Sequence, residues 1–308
     1  MVALCGFISI YAKDPVFANT TAEMRSFICL LLFIPCFAFG QAPKNLKADI
    51  KLPKDPAYTA APNGFPVFDT ESQVLNAFNF ARRQEEKQLK LPVNSLGTLS
   101  FPENYQQLPA AQRALLLTNQ ERTARAKVDY GAGKGPGLPL EALETHLNEV
   151  AQAHATDMAT HDFFGHTSHN GRTTLQRINA QAVFSGKCYE FMSRAENIYM
   201  FCYYSSEKPA LQMPVFITEQ AIFSWLYQDA TVAWGHRETL LIQDKDASGG
   251  TGFHNDRGSA GSEGFLGVGL STKVDYSPCA KFPGYQRVGH VVVMNFVDPA
   301  ANCSYTLP

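Results

Sequence analysis

Apolar residues recur at three- and four-residue spacing in several parts of the chain, and this period predicts amphipathic helices. The clearest helix covers residues 141–160, with Leu143, Leu147, Val150, Ala151, His154 and Met158 along one face. A second helix follows a possible N-cap at Asp69-Thr70, with Val74, Leu75, Phe78 and Ala81 as its stripe. Further helices are predicted from Pro109 through Arg122, over 172–180 and over 218–227.

Three apolar runs without helical spacing predict strands. Residues 265–271 and 290–297 form two core strands that are joined by a polar connection containing proline, and 197–201 forms a shorter strand. Helices mixed with strands, ending in an antiparallel pair, indicate an α+β or α–β–α layered domain. The central sheet is expected to be small and mainly antiparallel.

The first 107 residues are expected to lie outside this domain. Residues 27–39 form an apolar run after Met24-Arg25, and the run closes with Ala38-Phe39-Gly40. This pattern predicts a secretory signal peptide that is cleaved after Gly40 and is too short for a membrane span. Residues 1–23 are either an over-extended reading frame or part of one long signal. We therefore divide the chain into a leader over 1–40, a Pro-rich extension with one helix over 41–107, and a compact domain over 108–308.

The composition and the cysteines limit the class of protein and indicate the compartment in which it folds. The 308 residues are 45% hydrophobic with a formal net charge of −2, so the chain can bury a core and does not indicate a nucleic-acid partner. Removal of the leader leaves Cys188, Cys202, Cys279 and Cys303, an even number that favours two disulfides in an exported protein. Three connectivities are open. The pairing of Cys188 with Cys202 and of Cys279 with Cys303 is the strained one, because the last two cysteines flank opposite ends of the predicted hairpin.

The candidate chemistry lies in three short segments. They are Phe163-Phe-Gly-His166-Thr-Ser, Arg194-Ala-Glu196-Asn-Ile-Tyr and Trp234-Gly-His236-Arg-Glu-Thr-Leu-Leu. Two imidazoles and one carboxylate at a shared point would make an open divalent-metal site or a general acid–base cluster. We predict His166, Glu196 and His236 as the ligands, with zinc as a possible metal.

These segments, together with Asn119-x-x-Arg122, His154-Ala-x-Asp-Met158 and Gly267-Val-Gly269, resemble the bacterial branch of the CAP superfamily. That family comprises the cysteine-rich secretory, antigen 5 and pathogenesis-related-1 proteins, also called SCP-like extracellular proteins. The resemblance covers residues 108–300. It implies an α–β–α sandwich whose central cleft holds two histidines and usually two acids. The second acid is missing here, because Gln228 stands at its position; Asp229 or Glu238 are the candidates to replace it.

Other polar residues have simpler explanations. His154 is predicted to be a core histidine, Arg237 to pair with a carboxylate, and Asn119 and Arg122 to anchor helices. Ser168 is not favoured as a nucleophile, because no third residue that would orient it with His166 is visible. The segment from Asp244 to Gly249 is similar to the start of a calcium loop, but Asn255 stands at the twelfth position, where a bidentate acid is needed.

These features favour a protein that is secreted or periplasmic and has no transmembrane segment after signal cleavage. The predicted function is binding of an extracellular small molecule, a lipid or a cell-envelope component, and we favour a module that is not an enzyme. The alternative is a hydrolase that uses Glu196, His166 and His236, although no His-Glu-x-x-His helix or Gly-x-Ser-x-Gly elbow is present. A purely structural domain with a vestigial cleft is the third possibility.

Overall fold

The computed structural model describes residues 45–52, 68–126, 139–184, 193–206, 214–241 and 264–298. The predicted leader, Cys188, Cys303 and the possible calcium loop lie outside these residues. The helices are α1 (Glu71–Leu89), α2 (Ala110–Ala126), α3 (Thr145–His161), α4 (Thr174–Asn179), α5 (Ile217–Tyr227) and α6 (Gly235–Leu241). The strands are β1 (Ala142–Leu143), β2 (Ser193–Ser205), β3 (Phe265–Val274) and β4 (Gln286–Asp298). Within the described ranges, no helix is long and apolar enough to cross a membrane.

The strands form one mixed sheet with the order β1-β3-β4-β2. β4 pairs antiparallel with β2, where Glu196 lies opposite Asn295, and antiparallel with β3, where Gly269 lies opposite Val293. The short β1 adds a parallel pairing to β3 through two residues. The predicted α+β class and the mainly antiparallel sheet are confirmed; the parallel strand β1 had not been predicted.

Helices cover both faces of the sheet. On one face, Ala151 and Met158 of α3 pack against Ile198 and Val293 of the strands. On the other face, Trp225 of α5 packs in a cluster with Tyr199, Phe201 and several residues of α1 and α2. Because side chains alternate between the faces of a strand, Glu196 and Ile198 point toward α3, whereas Asn197 and Tyr199 point toward α5. This alternation decides which residues can share a site.

Helix α3 lies unusually close to the sheet because β3 contains two glycines. A Cβ on Gly269 would be 2.2 Å from the carbonyl carbon of Ala151, and one on Gly267 would be 2.3 Å from that of Leu147. No side chain fits at these distances. The Gly267-Val-Gly269 pattern is therefore a packing requirement, and it brings the C-terminal end of α3 and the following loop over β2.

Helix α1 begins with a capping box. The side chain of Thr70 accepts a hydrogen bond from the main-chain N–H of Gln73, whose own side chain accepts from the main chain of Thr70. The helix carries Arg82 and Glu85 into the protein interior. Arg82 pairs with Glu121 of α2 at 2.8 Å, so the predicted extension contributes charges to a buried network.

Several element boundaries differ from the predicted ones, and the start of α3 and the length of β2 have clear physical reasons. Helix α3 begins at Thr145 and not at residue 141, because Ala142 and Leu143 pair with β3 and Glu144 is the N-cap, accepting a hydrogen bond from the N–H of Leu147. Strand β2 runs from Ser193 to Ser205, well beyond the predicted 197–201. Its length follows from the pairing with β4, which holds the polar ends of β2 in the sheet.

A disulfide joins Cys202 of β2 to Cys279, in the connection between β3 and β4, with a Cα–Cα distance of 5.7 Å. This bond excludes the pairing of Cys188 with Cys202 and of Cys279 with Cys303, the arrangement that the sequence had marked as strained. It also excludes the pairing of Cys188 with Cys279. The bond ties the edge strand to the hairpin connection.

Candidate functional site

Glu196 is the centre of a buried polar cluster beneath α3 and α4. It lies on β2, and its carboxylate accepts hydrogen bonds from four side chains on three different segments, namely the loop after α3, helix α4 and strand β4. The donors and their distances are His166 Nδ1 at 2.9 Å, Thr174 Oγ1 at 2.8 Å, Arg177 Nη2 at 2.7 Å and Asn295 Nδ2 at 3.0 Å. A buried carboxylate is stable only when it is satisfied in this way.

The charge of Glu196 is strongly favoured in this environment. Burial alone raises the pKa of the carboxyl group, but the hydrogen bond from His166 and the charges of Arg177, His154 and His166 outweigh burial and lower the pKa to about 2. Glu196 also forms an ion pair with an arginine. The partner in the structure is Arg177 of α4, whose Nη1 also donates to the carbonyl of His166 at 2.7 Å. One guanidinium therefore holds both the carboxylate and the loop that carries the histidine.

His166 stands in the loop between α3 and α4, and its Nδ1 is committed to Glu196. Its Nε2 is buried and has no hydrogen-bond partner among the described residues. The predicted association of His166 with Glu196 thus appears in the structure as a direct hydrogen bond.

His154 of α3 adjoins the same cluster. Its Nε2 donates to the carbonyl of Gly165 at 3.0 Å and lies 3.9 Å from Oε1 of Glu196. Its Nδ1 is 3.4 Å from Oγ of Ser168. Burial lowers the pKa of His154 to about 4, even though Glu196 opposes this shift, so the imidazole is neutral at pH 7. The predicted core histidine is confirmed, with both ring nitrogens placed near polar groups.

A cleft of about 300 Å³ opens beside this cluster, between α3, α4 and the loop that joins them. Its polar lining comes from Glu149, His154, Asp157, Ser168, Asn170, Arg172, Arg177 and Gln181. Arg177 and His154 belong to both the cleft wall and the cluster around Glu196. The cluster therefore fixes the orientation of two side chains that a molecule in the cleft would contact.

His236 has different partners. Its Nδ1 donates to Oδ1 of Asp229 at 2.6 Å, its main-chain N–H donates to the other oxygen of Asp229 at 2.9 Å, and its ring stacks on Trp225. Its carbonyl accepts from Asn197, which points to the opposite face of β2 from Glu196. Asp229, one of the two candidates to replace the missing acid, thus binds His236. The other, Glu238, accepts a hydrogen bond from Asn45.

The donors in this arrangement do not fit a metal centre built from His166, Glu196 and His236. Among the described residues, no group of three or more His, Cys, Asp or Glu side chains is placed to hold a metal ion. Both oxygens of Glu196 already accept hydrogen bonds, and Nδ1 of His236 is committed to Asp229. The structure thus brings two of the three residues together, and metal binding stays a prediction from the sequence without support from this geometry.

Sequence reasoning missed Thr174, Arg177 and Asn295. Asn295 gave a visible signal, because it is a polar residue within the apolar run 290–297 and is fully buried. Arg177 gave none, since its role depends on where α4 packs. The structural roles predicted for other residues are confirmed: Arg237 pairs with Glu85 at 2.6 Å, and Arg122 donates to the carbonyl of Leu240.

Comparisons with known proteins give little further guidance. No family model matches the chain, and no curated protein matches it. Among solved structures, the chain is similar to an extracellular protein containing an SCP domain from Bacillus anthracis str. Ames, at 20% sequence identity and a TM-score of 0.34. The match covers 66% of this chain and 45% of that one, less than half of the length of the solved protein.

Proposed function

We propose that this protein is an exported CAP-like module that binds a small polar ligand in the cleft beside Glu196. The proposal of family membership rests on the ordered motifs and on the layered fold. The ligand proposal rests on one observation: Arg177 and His154 line the cleft and are held in place by contacts with the buried Glu196 cluster. Polar groups that are positioned before a ligand arrives lose little freedom on binding.

The lining of the cleft indicates the kind of ligand. Glu149 and Asp157 bring negative charge, whereas Arg172 brings positive charge, and the charge of Arg177 is balanced by Glu196. Such a surface suits a neutral or zwitterionic molecule with several hydroxyl or amide groups. A sugar or short peptide fragment of a cell envelope has this chemistry. A lipid would have to present its polar head to this cleft, because few lining groups are apolar.

Export is part of the proposal. It is supported by the signal-like segment over residues 27–40 and by the disulfide between Cys202 and Cys279, a bond that persists mainly in oxidising compartments. N-terminal sequencing of the secreted or periplasmic protein tests this point. Recovery of a chain that begins at Gln41 would support the predicted cleavage after Gly40, and a cytosolic protein with an intact N-terminus would refute it.

Ligand binding is tested with calorimetry or NMR titration of soluble peptidoglycan fragments and of a short-chain phospholipid. Asn170→Ala and Gln181→Ala are the informative variants, because both side chains line the cleft and neither touches Glu196 in the described hydrogen bonds. We expect the fragments to bind and both variants to weaken binding. Gln112→Ala, which lies in a separate groove beside α2, is the matched control. Equal affinity in the variants and the wild type would exclude this cleft.

Metal binding is measured separately. Elemental analysis of natively purified wild type, His166→Ala and His236→Ala decides whether the two histidines hold a common ion. A stoichiometric metal in the wild type that is lost in both variants would mean that the site rearranges around the ion. Equal metal content in all three proteins would show that these two histidines do not bind a metal ion.

A further inference from the structure

The cleft contains a serine and a histidine in the relationship of a nucleophile and its base. Oγ of Ser168 is 3.4 Å from Nδ1 of His154, and both residues line the cleft wall. The carbonyl of Gly165 can only accept, so Nε2 of His154 carries the ring proton and Nδ1 presents its lone pair to Ser168. Hydrogen bonds between catalytic groups are often this long in the absence of a substrate.

Two charged groups complete the arrangement. Oε1 of Glu196 is 3.9 Å from Nε2 of His154 and would stabilise the positive charge that forms when the imidazole accepts a proton. Nη1 of Arg177 donates to Oγ of Ser168 at 3.1 Å. This contact would stabilise the negative charge that develops on the serine oxygen as it loses its proton. The sequence alone had placed Ser168 beside His166, for which no orienting residue was visible. In the structure the serine adjoins a different histidine, His154, whose ring is oriented by its hydrogen bond to the carbonyl of Gly165, with the carboxylate of Glu196 nearby.

We propose that Ser168 and His154 form an acyl-transfer centre that hydrolyses esters of short acids with polar alcohols. The size of the cleft, about 300 Å³, admits a small acyl group, and its polar walls suit a hydroxyl-rich leaving group such as a sugar. This activity goes beyond the binding role proposed above. It uses the same cleft, but it does not depend on a cell-envelope fragment being the natural ligand.

The reaction balances without a co-reactant other than water. Oγ of Ser168 bonds to the carbonyl carbon of the ester while its proton moves to Nδ1 of His154. The bond from that carbon to the alcohol oxygen then breaks, and the departing oxygen takes the proton from Nδ1. Water attacks the acyl-serine by the same route, releases the acid and restores Ser168. The side chains of Asn170 and Arg172 carry N–H groups and line the same cleft, and we assign them to the negative charge that forms on the carbonyl oxygen. The main-chain N–H of Arg172 is not available for this role, because it donates to Oδ1 of Asn170.

The first test is labelling of the purified wild-type protein with a fluorophosphonate probe, followed by peptide mapping. Oγ of a competent serine bonds to phosphorus, and fluoride leaves. We expect label on Ser168 and no label in Ser168→Ala. Ser224→Ala, a serine of α5 with similar partial exposure, is the matched control and should label like the wild type. Absence of label in the wild type, or label on another residue that persists in Ser168→Ala, would overturn the proposal.

The second test is turnover of 4-nitrophenyl acetate. His154→Gln should lower the rate by about 100-fold or more, as expected for loss of a general base. Far-UV circular dichroism and a thermal melt show whether this buried substitution still folds. If it does not, Ser168→Ala decides alone, because a partly exposed serine can be shortened without loss of the core. Labelling and turnover can fail while peptidoglycan fragments still bind, so the two proposals are distinguished.

Discussion

Arg125 of α2 and Glu85 of α1 form an ion pair in which neither side chain is exposed to solvent, with Nη2 of the arginine 2.5 Å from Oε2 of the glutamate. The same carboxylate accepts a hydrogen bond from Arg237 of α6 at 2.6 Å. These residues lie on either side of residue 108, where the sequence placed the start of the compact domain. Helix α1 therefore supplies the charge that neutralises two arginines inside the fold.

We expect Glu85→Ala to lower the free energy of unfolding by about 3–5 kcal/mol, the cost typical of leaving buried charges without their partner. The substitution removes the carboxylate that faces Arg237 and one of those that face Arg125. Urea unfolding of the full chain measures this. Lys87→Ala, an exposed residue of the same helix, should change the free energy by less than about 0.5 kcal/mol. Equal effects of the two substitutions would show that the buried pair does not contribute.

A chain that begins at residue 108 should fail to unfold cooperatively, because it lacks all of α1. Its apolar contacts are lost together with Glu85: Phe78 packs edge-on against both Phe223 and Tyr227 of α5. The measurement is a thermal melt of residues 108–308 beside a chain that begins at residue 41. A sharp, native-like transition in the shorter protein would establish residues 108–308 as an independent domain.

Stability should fall in two steps as the pH decreases. Burial lowers the pKa of His154 and of His290 to about 4, so these histidines are neutral in the folded protein while the unfolded chain takes up protons near pH 6.5. Burial raises the pKa values of Glu85 and Glu196, but their cationic partners lower them by more, to about 2. As the pH falls below 4.5, these two carboxylates therefore take up protons in the unfolded state before they do so in the folded state. Protonation therefore favours unfolding for all four groups, between pH 6.5 and 4 and then between pH 4.5 and 2.

His290→Gln isolates the first step. The pKa of this histidine changes from 6.5 in the unfolded chain to about 4 in the folded protein. At pH 5 this difference lowers the free energy of unfolding by about 2 kcal/mol. The loss of stability between pH 7 and pH 5 should therefore be smaller in this variant than in the wild type, whatever the substitution does at pH 7. An unchanged difference in His290→Gln would contradict the assignment.

Gly269→Ala should destabilise the protein by about 1–3 kcal/mol or more, because the added methyl group meets the main chain of Ala151 and neither element can move without disrupting the core. Chemical denaturation provides the measurement. Gly165→Ala is the matched control, since a Cβ there has no atom of the described residues within 4 Å. Similar stability of the two variants would mean that α3 can shift away from the sheet.

The sequence predicted the helices and strands better than it predicted which side chains of different helices and strands contact one another. Helical spacing located α1, α3 and α5, and the apolar runs located β3 and β4, since these patterns reflect burial of one face. The contact of His166 with Glu196 was predictable only through the resemblance to a family. His236 binds Asp229 and Arg177 binds Glu196 because of the way the helices pack. The spacing of residues along the chain gives no information about such packing. Proline content suggested an extension before residue 108, whereas the buried ion pairs of α1 join charges that are 39, 40 and 152 residues apart in the sequence.

The remaining cysteines provide the last prediction. With Cys202 bonded to Cys279, Cys188 and Cys303 are the pair left after removal of the predicted leader. Cys188 precedes Ser193 by five residues, and Cys303 follows Asp298 by five, and Ser193 and Asp298 are opposite each other at the end of the ladder between β2 and β4. The equal spacing of the two cysteines from this opposed pair favours a bond between Cys188 and Cys303, the pairing that the first disulfide leaves open.

Peptide mapping of the exported protein without reduction tests this pairing. We expect one linked peptide pair containing Cys202 with Cys279 and a second containing Cys188 with Cys303. Cys188→Ser combined with Cys303→Ser should lower stability by about 2–4 kcal/mol, because the bond would close a loop of more than 100 residues in the unfolded chain. The reduced wild type and the reduced double variant should then be equally stable, apart from the small effect of the serines. Free thiols at both positions in the exported protein would contradict the prediction.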